Sequence, residues 1–153
     1  MTEHTPPNLK EYVTAMIGGQ LFGLPILRVQ DVFIPERLTR VPLAPPEVAG
    51  VLNLRGRIVT LIDMRRSLGL EARKNEGQPM AIGVERAGES YGLLIDSVGE
   101  VLKLDDAARE ANPVNLDPRL ARVSAGIHRL EGQLLIVVDV DRVLDAGSKA
   151  KAA

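Results

Sequence analysis

The sequence predicts a mainly β protein in which two five-stranded barrels, copies of one module, pack side by side with a few short helices. Three observations point there. The apolar runs are short and are separated by glycine-centred turns, the pattern of strands and hairpins. An internal repeat covers most of the chain: Gly50-Val-Leu-Asn-Leu-Arg-Gly-Arg-Ile-Val-Thr-Leu-Ile-Asp63 lies over Gly126-Ile-His-Arg-Leu-Glu-Gly-Gln-Leu-Leu-Ile-Val-Val-Asp139 at an offset of 76. The composition suits a packed core, because 153 residues at 45% apolar, 25% charged and net charge −1 are far from the polar, unbalanced make-up of disordered chains.

Taken in order, Lys10–Ile17 is a β-rich run that stops at Gly18-Gly19, and Leu21–Ile26 returns from it as a hairpin. Val48–Leu54 and Arg57–Ile62 form a second hairpin around Arg55-Gly56. Asp63 ends that strand ahead of a helix-compatible stretch, Met64–Leu68, and a carboxylate there suits free backbone N–H groups at a helix start. The polar run Glu71–Gln78 reads as a linker. Pro79–Glu85 and Ser90–Ile95 repeat the hairpin pattern around Ala87-Gly88, and Val98–Leu104 is a further strand. Asp105–Leu120, with Pro113, Asn115 and Pro118, reads as a long connection. Val123–Leu130 and Gln133–Val138 make the last hairpin, and Asp139 caps Val140–Leu144 as Asp63 does earlier.

The repeat extends upstream. Phe22–Ile26 lies over Tyr91–Ile95 at an offset of 69, which places Val29, Asp31, Val32 and Phe33 over Val98, Glu100, Val101 and Leu102. The two offsets differ by about seven residues, and the Asp105–Leu120 connection accommodates them. Modules at about 10–70 and 79–146 are therefore expected inside one domain, 9–146, with tails at 1–8 and 147–153. Five short strands leave exposed edges as a flat sheet, and closure into a barrel removes them.

Composition also excludes functions. Cysteine is absent, so no disulfide, zinc-thiolate site or thiol nucleophile exists. Nineteen basic residues against twenty acidic ones, with only Tyr12, Tyr91, Phe22 and Phe33 as aromatics, argue against a nucleic-acid binder. The N-terminus lacks a basic and an apolar signal region. No apolar run approaches the ~20 residues of a membrane span, so a cytoplasmic protein without membrane insertion is expected. Catalysis has little to use. His4 lies in a tail, His128 takes the place of Leu52 and reads as half-buried packing, and no serine sits in a nucleophile elbow. Gly83–Ser90 has phosphate-loop spacing, but Glu89 stands where the lysine belongs. Asp139 and Asp141 lack a third oxygen ligand, so no metal is expected, and Arg65-Arg66 reads as a solvated helix face. No catalytic residue and no cofactor are assigned.

The segment Gly50-Val-Leu-Asn-Leu-Arg-Gly56 resembles the G-V-x-N-L-R-G signature of the CheW family of bacterial chemotaxis coupling proteins. Asp63-Met-Arg is similar to its D-L-R. Phe22-Gly-Leu-Pro-Ile-Leu-Arg-Val-Gln-Asp-Val32 is similar to its Y-G-(V/L)-x-I-x-x-V-Q-E-V, and Val41-Pro-Leu-Ala-Pro45 to its (I/V)-P-N-A-P. The resemblance runs from about Tyr12 to Leu144, with Asp31 in place of glutamate and Leu43 in place of asparagine. It implies SH3-like barrels and a non-enzymatic scaffold, localised in the cytoplasm at membrane-associated receptor arrays. Its implied partners are the cytoplasmic helical tips of chemoreceptors and the regulatory domain of the histidine kinase CheA. It implies receptor contacts at Val29, Asp31, Arg55 and Val98; the repeat adds Val32 and Val101 as groove candidates, and Asn53 of the signature segment is a further one. An apolar groove of valines suits the apolar face of a receptor helix, and Arg55 suits a carboxylate. The same adaptor role in a non-flagellar chemosensory array is the alternative, and a small-barrel nucleic-acid binder the weaker one.

Overall fold

Period-two alternation decides where each strand sends its side chains. In β1 (Leu9–Ile17) Val13, Ala15 and Ile17 point one way and Tyr12 the other; in β2 (Gln20–Pro25) Phe22 and Leu24 oppose Leu21. The computed structural model describes residues 9–71 and 79–145. The expected tails and linker positions 72–78 lie outside the described residues. The remaining strands are β3 (Asp31–Phe33), β4 (Val48–Leu54), β5 (Arg57–Asp63), β6 (Met80–Arg86), β7 (Glu89–Ile95), β8 (Ser97–Asp105), β9 (Ser124–Leu130) and β10 (Gln133–Val138). Two short α-helices, α1 (Met64–Ser67) and α2 (Pro118–Ala121), a helical stretch at 140–145 and two 3-10 turns, Ile26–Arg28 and Asp106–Ala108, complete the described elements.

The strands form two five-stranded sheets, ordered β8-β1-β2-β10-β9 and β3-β6-β7-β5-β4. The repeat maps β1–β5 onto β6–β10, and under that mapping each sheet becomes the other. The expected division into barrels at about 10–70 and 79–146 is therefore corrected. Barrel A takes β1 and β2 from the first copy and β8 to β10 from the second; barrel B takes the reverse. The two copies exchange their halves. The chain crosses from one barrel to the other after β2 and again after β7, where Asp96 alone separates β7 from β8. A hairpin signal pairs neighbours in sequence but does not say which sheet receives the next strand, so local patterning could not show the exchange.

Each sheet closes through one bridge. Thr39, beyond β3, exchanges two backbone hydrogen bonds with Val51 of β4, both 2.8 Å, and Glu110, beyond β8, exchanges two with Ile127 of β9, both 2.9 Å. The repeat glycines explain themselves here. Gly50 and Gly126 have φ of +152° and +126°, and a Cβ on them would lie 2.5 Å from the Thr39 carbonyl oxygen and 2.8 Å from that of Glu110. Only glycine lets the closing segment approach.

The alternation sends one face of each sheet inside its own barrel. Barrel A encloses Tyr12, Leu135 and Val137; barrel B encloses Leu52, Val59, Leu61 and Ala81. The other faces meet in the largest cluster, which joins Val13, Phe22, Leu24 and Ile136 to Ile62, Ile82, Leu93 and Ile95. The two barrels therefore share one apolar seam.

Capped helices and ion pairs pin the seam. Asp63 Oδ1 accepts from the backbone N–H of Arg65 and Arg66 at 3.0 and 3.4 Å, and Asp139 from that of Arg142 at 3.2 Å. Arg65 is not the solvated residue the sequence suggested. It grips Asp96 at the β7–β8 crossover with two bonds of 2.9 and 2.7 Å, and Asp96 also accepts from Gly18 N at 2.9 Å. The repeat equivalent of Arg65 is Asp141, which accepts from Arg28 at the other crossover at 3.0 Å. That bond holds the Asp141 carboxyl below its usual range. Both clamps tie the helix behind a closing strand to the segment that changes barrel.

Candidate partner-binding site

The sequence-predicted residues fall in two places. The first is the seam beside the edge strands β3 and β8. Residues directly opposite in an antiparallel pair share a face. Val32 opposes Ile82, and Val101 opposes Val13; both partners belong to the shared seam. Val32 and Val101 are thus repeat equivalents on the seam-facing side of their strands, and they remain 39% and 46% exposed. Val29 and Val98 are half-buried and pack against the same cluster. They belong partly to the core, which makes them poorer carriers of a new charge than the exposed pair.

Asp31 stands on the other face of β3. It opposes Gly83, and its Oδ1 lies so near the Gly83 Cα that a Cβ there would collide with it. Its side chain therefore does not share the face of Val32.

The second place is the tip of the β4–β5 hairpin. Arg55 and Gly56 have φ of +54° and +85°, the signature of a type I′ turn. Asn53 supports the turn by accepting from the Gly56 backbone N–H at 2.9 Å. An arginine at a left-handed position carries a local cost that asparagine or glycine would avoid. Its side chain is exposed and, among the described residues, holds no hydrogen bond or ion pair. Such a group gains most from a partner's carboxylate.

Beside this tip an open cleft of about 550 Å³ is lined by Phe33, Ile34, Arg37, Asn53, Leu54 and Ile58. The sequence reading missed this cleft, in whose wall Glu36 accompanies Arg37. The signal was there as the pair of basic residues in Pro35-Glu-Arg-Leu-Thr-Arg40 and the Arg57-Ile58 step after the turn. Barrel A differs at the corresponding positions: Tyr12 stands where barrel B has Ala81, and His128 where it has Leu52. His128 is buried rather than half-buried, at 3% exposure, with its ring 5.9 Å from that of Tyr12 and its Nε2 unpartnered among the described residues. Burial, with Arg109 nearby, pushes its pKa down. Among the described residues no cluster of His, Asp and Glu could hold a metal ion.

Residues 11–148 match the family model described as the CheW-like domain. This chain belongs to the CheW-like family. Two relatives illustrate its reach. The chemotaxis protein CheW of Rhizobium meliloti is 25% identical over 150 residues, covering 98% of this chain and 97% of the relative. That of Helicobacter pylori is 28% identical over 134 residues, covering 88% and 81%. Among solved structures, the scaffolding protein TtCheW from Thermoanaerobacter tengcongensis superposes with a TM-score of 0.75 at 29% identity, covering 84% of this chain and 88% of that one. Family and fold together make the chain a chemotaxis adaptor, a scaffold rather than an enzyme. Among the described residues no helix is long and apolar enough to cross a membrane.

Proposed function

We propose that the chain couples the cytoplasmic helical tips of chemoreceptors to the regulatory domain of the histidine kinase CheA, in the cytoplasm at membrane-associated receptor arrays. The observation that carries this reading is the pair of exposed, repeat-equivalent valines, Val32 and Val101, on the seam side of the two edge strands. With Val29 and Val98 they offer an apolar strip for the apolar face of a receptor helix. Arg55, unpaired among the described residues, contributes a charge-assisted contact, and Asp31 a carboxylate from the opposite face of β3.

The test is a pair of charge insertions. Val32→Glu and Val101→Glu place a carboxylate that stays in water in the free protein, so melting curves stay close to wild type. Bound to a receptor helix the charge is buried unpaired, so receptor-tip binding falls at least tenfold while CheA binding persists. Unchanged receptor binding in both folded variants refutes the groove. A second reading, the same adaptor role in an array that does not control flagella, is favoured by one observation: protein PilI of Pseudomonas aeruginosa is 33% identical over 82 residues, covering 54% of this chain and 46% of that protein. Pull-down against the receptors and kinases of each array in the source organism separates the two.

A further inference from the structure

The fold pairs two copies of one module across a seam whose two sides are nearly alike. Val13 and Ile82, Leu24 and Leu93, Ile62 and Val138, and Leu68 and Leu144 are repeat equivalents, and all lie in the one seam cluster. Apolar burial is non-directional. The seam by itself therefore distinguishes poorly between a first copy paired with a second and two like copies paired with each other.

The crossovers do distinguish them. At the β7–β8 crossover, Asp96 of the second copy is gripped by Arg65 of the first, with bonds of 2.9 and 2.7 Å between side chains only 21% and 22% exposed. At the other crossover, Arg28 of the first copy donates to Asp141 of the second at 3.0 Å. The repeat exchanges these clamps. Arg65 maps onto Asp141 at the offset of 76, and Arg28 onto Ser97, next to Asp96, at the offset of 69. The places match and the charges are reversed. In the first copy the helix and the crossover both bring a cation; in the second both bring an anion. Two first copies would set Arg65 against Arg28, and two second copies Asp141 against Asp96. Only first with second sets opposite charges together at both clamps. Arg86 also borders Asp141, donating to its carbonyl at 3.2 Å, but Asp145 holds its guanidinium. It belongs to the second copy and so accompanies Asp141 in any pairing.

We propose that the two clamps are a charge lock, which makes the first half of the chain pair with a second half, its own or that of another copy, and not with another first half. Arg65, Asp96, Arg28 and Asp141 are its specificity-determining residues. Partly exposed ion pairs add little to stability by themselves. The lock works through the repulsion built into the wrong pairings. It goes beyond the adaptor reading and does not depend on it.

The test keeps the full chain and asks which halves pair. In Asp96→Arg, Arg65 meets a cation whether the halves pair within one chain or between two. In Arg65→Glu, Asp96 meets an anion in the same way. Neither variant gains by exchanging halves with its own kind. Mixed, the two do gain, because a dimer of one chain of each, with halves exchanged, has opposite charges at every clamp. Wild type mixed with Asp96→Arg gains nothing, since exchange still leaves one clamp repulsive. The chains are unfolded in urea, combined in equal amounts, refolded, and read by native mass spectrometry and light scattering. The expected result is a one-to-one dimer of the two variants. It is at least roughly tenfold more abundant than any dimer of either variant alone or of wild type with Asp96→Arg, and it declines with added salt. Placed in one chain, Arg65→Glu and Asp96→Arg together restore most of the melting temperature that each alone loses. A mixture that stays monomeric overturns the proposal. So do dimers as abundant in one variant alone or with wild type, or a double variant that melts at the sum of the single losses. A variant that does not fold alone leaves the test intact, because the exchanged dimer repairs its clamp and must still form. None of these readouts involves receptor or kinase, so the coupling role stands or falls separately.

Discussion

Replacing Gly50 by alanine attacks the closure of barrel B at one atom. At φ of +152° an L-residue sits in a region essentially reserved for glycine, at a cost of about 1–3 kcal/mol. The added Cβ would also lie 2.5 Å from the Thr39 carbonyl oxygen, which is backbone, and 2.9 Å from Leu38 Cγ. The closing segment has to retreat, and its two 2.8 Å bonds to Val51 are lost or lengthened, at about 0.5–1.5 kcal/mol each. The sum is about 2–6 kcal/mol, a large share of the 5–15 kcal/mol typical of a domain. For a chain of this size about 4 kcal/mol lowers Tm by roughly 8–16 °C. Gly56→Ala is the control. It too has positive φ, +85°, but among the described residues nothing lies within 4 Å of its added Cβ, so only the backbone cost of about 1 kcal/mol remains. Thermal melts of the two variants, with hydrogen exchange at the Thr39 and Val51 amides, check the reasoning. Equal destabilisation by the two alanines, or protected Thr39 and Val51 amides in Gly50→Ala, refutes it.

Arg55→Ala keeps a Cβ at the same positive φ and removes no contact inside the described protein, so its melt matches wild type within about 0.5 kcal/mol; receptor affinity falls by about 1.5–3 kcal/mol if one charge-assisted contact is lost, measured by calorimetry. Leu43 is fully exposed at φ +65°, a conformation asparagine tolerates far better, so Leu43→Asn raises stability by about 0.5–1 kcal/mol in denaturant titrations. His128 gives a pH signature. Its folded pKa lies below the ordinary 6.5 because burial disfavours the imidazolium, and Arg109 adds to this while Asp106, Asp105 and Glu110 oppose it. The unfolded chain therefore binds the proton first as pH falls. Stability is whole above about 6.5 and declines toward the lower folded pKa by up to about 1.4 kcal/mol per pH unit. In His128→Leu, which copies Leu52 of the other barrel, that part of the slope disappears from urea titrations taken between pH 7 and pH 5.

The repeat made much of the fold legible, because its glycines, closing aspartates and apolar alternation are local signals that the chain prints twice. The exchange of halves between barrels was not legible. It depends on which sheet receives β3 after Val29 and β8 after Asp96, and no residue spacing encodes that choice. β3 itself is three residues long, too short for periodicity, and only its alignment with Val98–Leu102 hinted at it. The valines of the groove were named from repeat and resemblance, but their facing needed the register: Val32 opposite Ile82 turns to the seam, whereas Asp31 opposite Gly83 turns away. His128 was read as half-buried because its copy is a leucine; its full burial depends on Tyr12, which reaches it from a strand more than a hundred residues away. Arg37 in the wall of the barrel B cleft was not singled out, because nothing in its spacing marks a site. What sets it apart is the lack of a partner among the described residues, a property of the fold and not of the sequence.

Bridging is the central claim, and co-sedimentation tests it most directly. Vesicle-borne or ring-clustered receptor tips are mixed with CheA, with and without the chain, and the pelleted kinase and its autophosphorylation are measured. The account predicts that kinase sediments with receptors and gains activity only when the chain is present, and that Val101→Glu removes both effects while still binding CheA in solution. Kinase recruitment that is the same without the chain, or that survives in folded Val32→Glu and Val101→Glu, would contradict it.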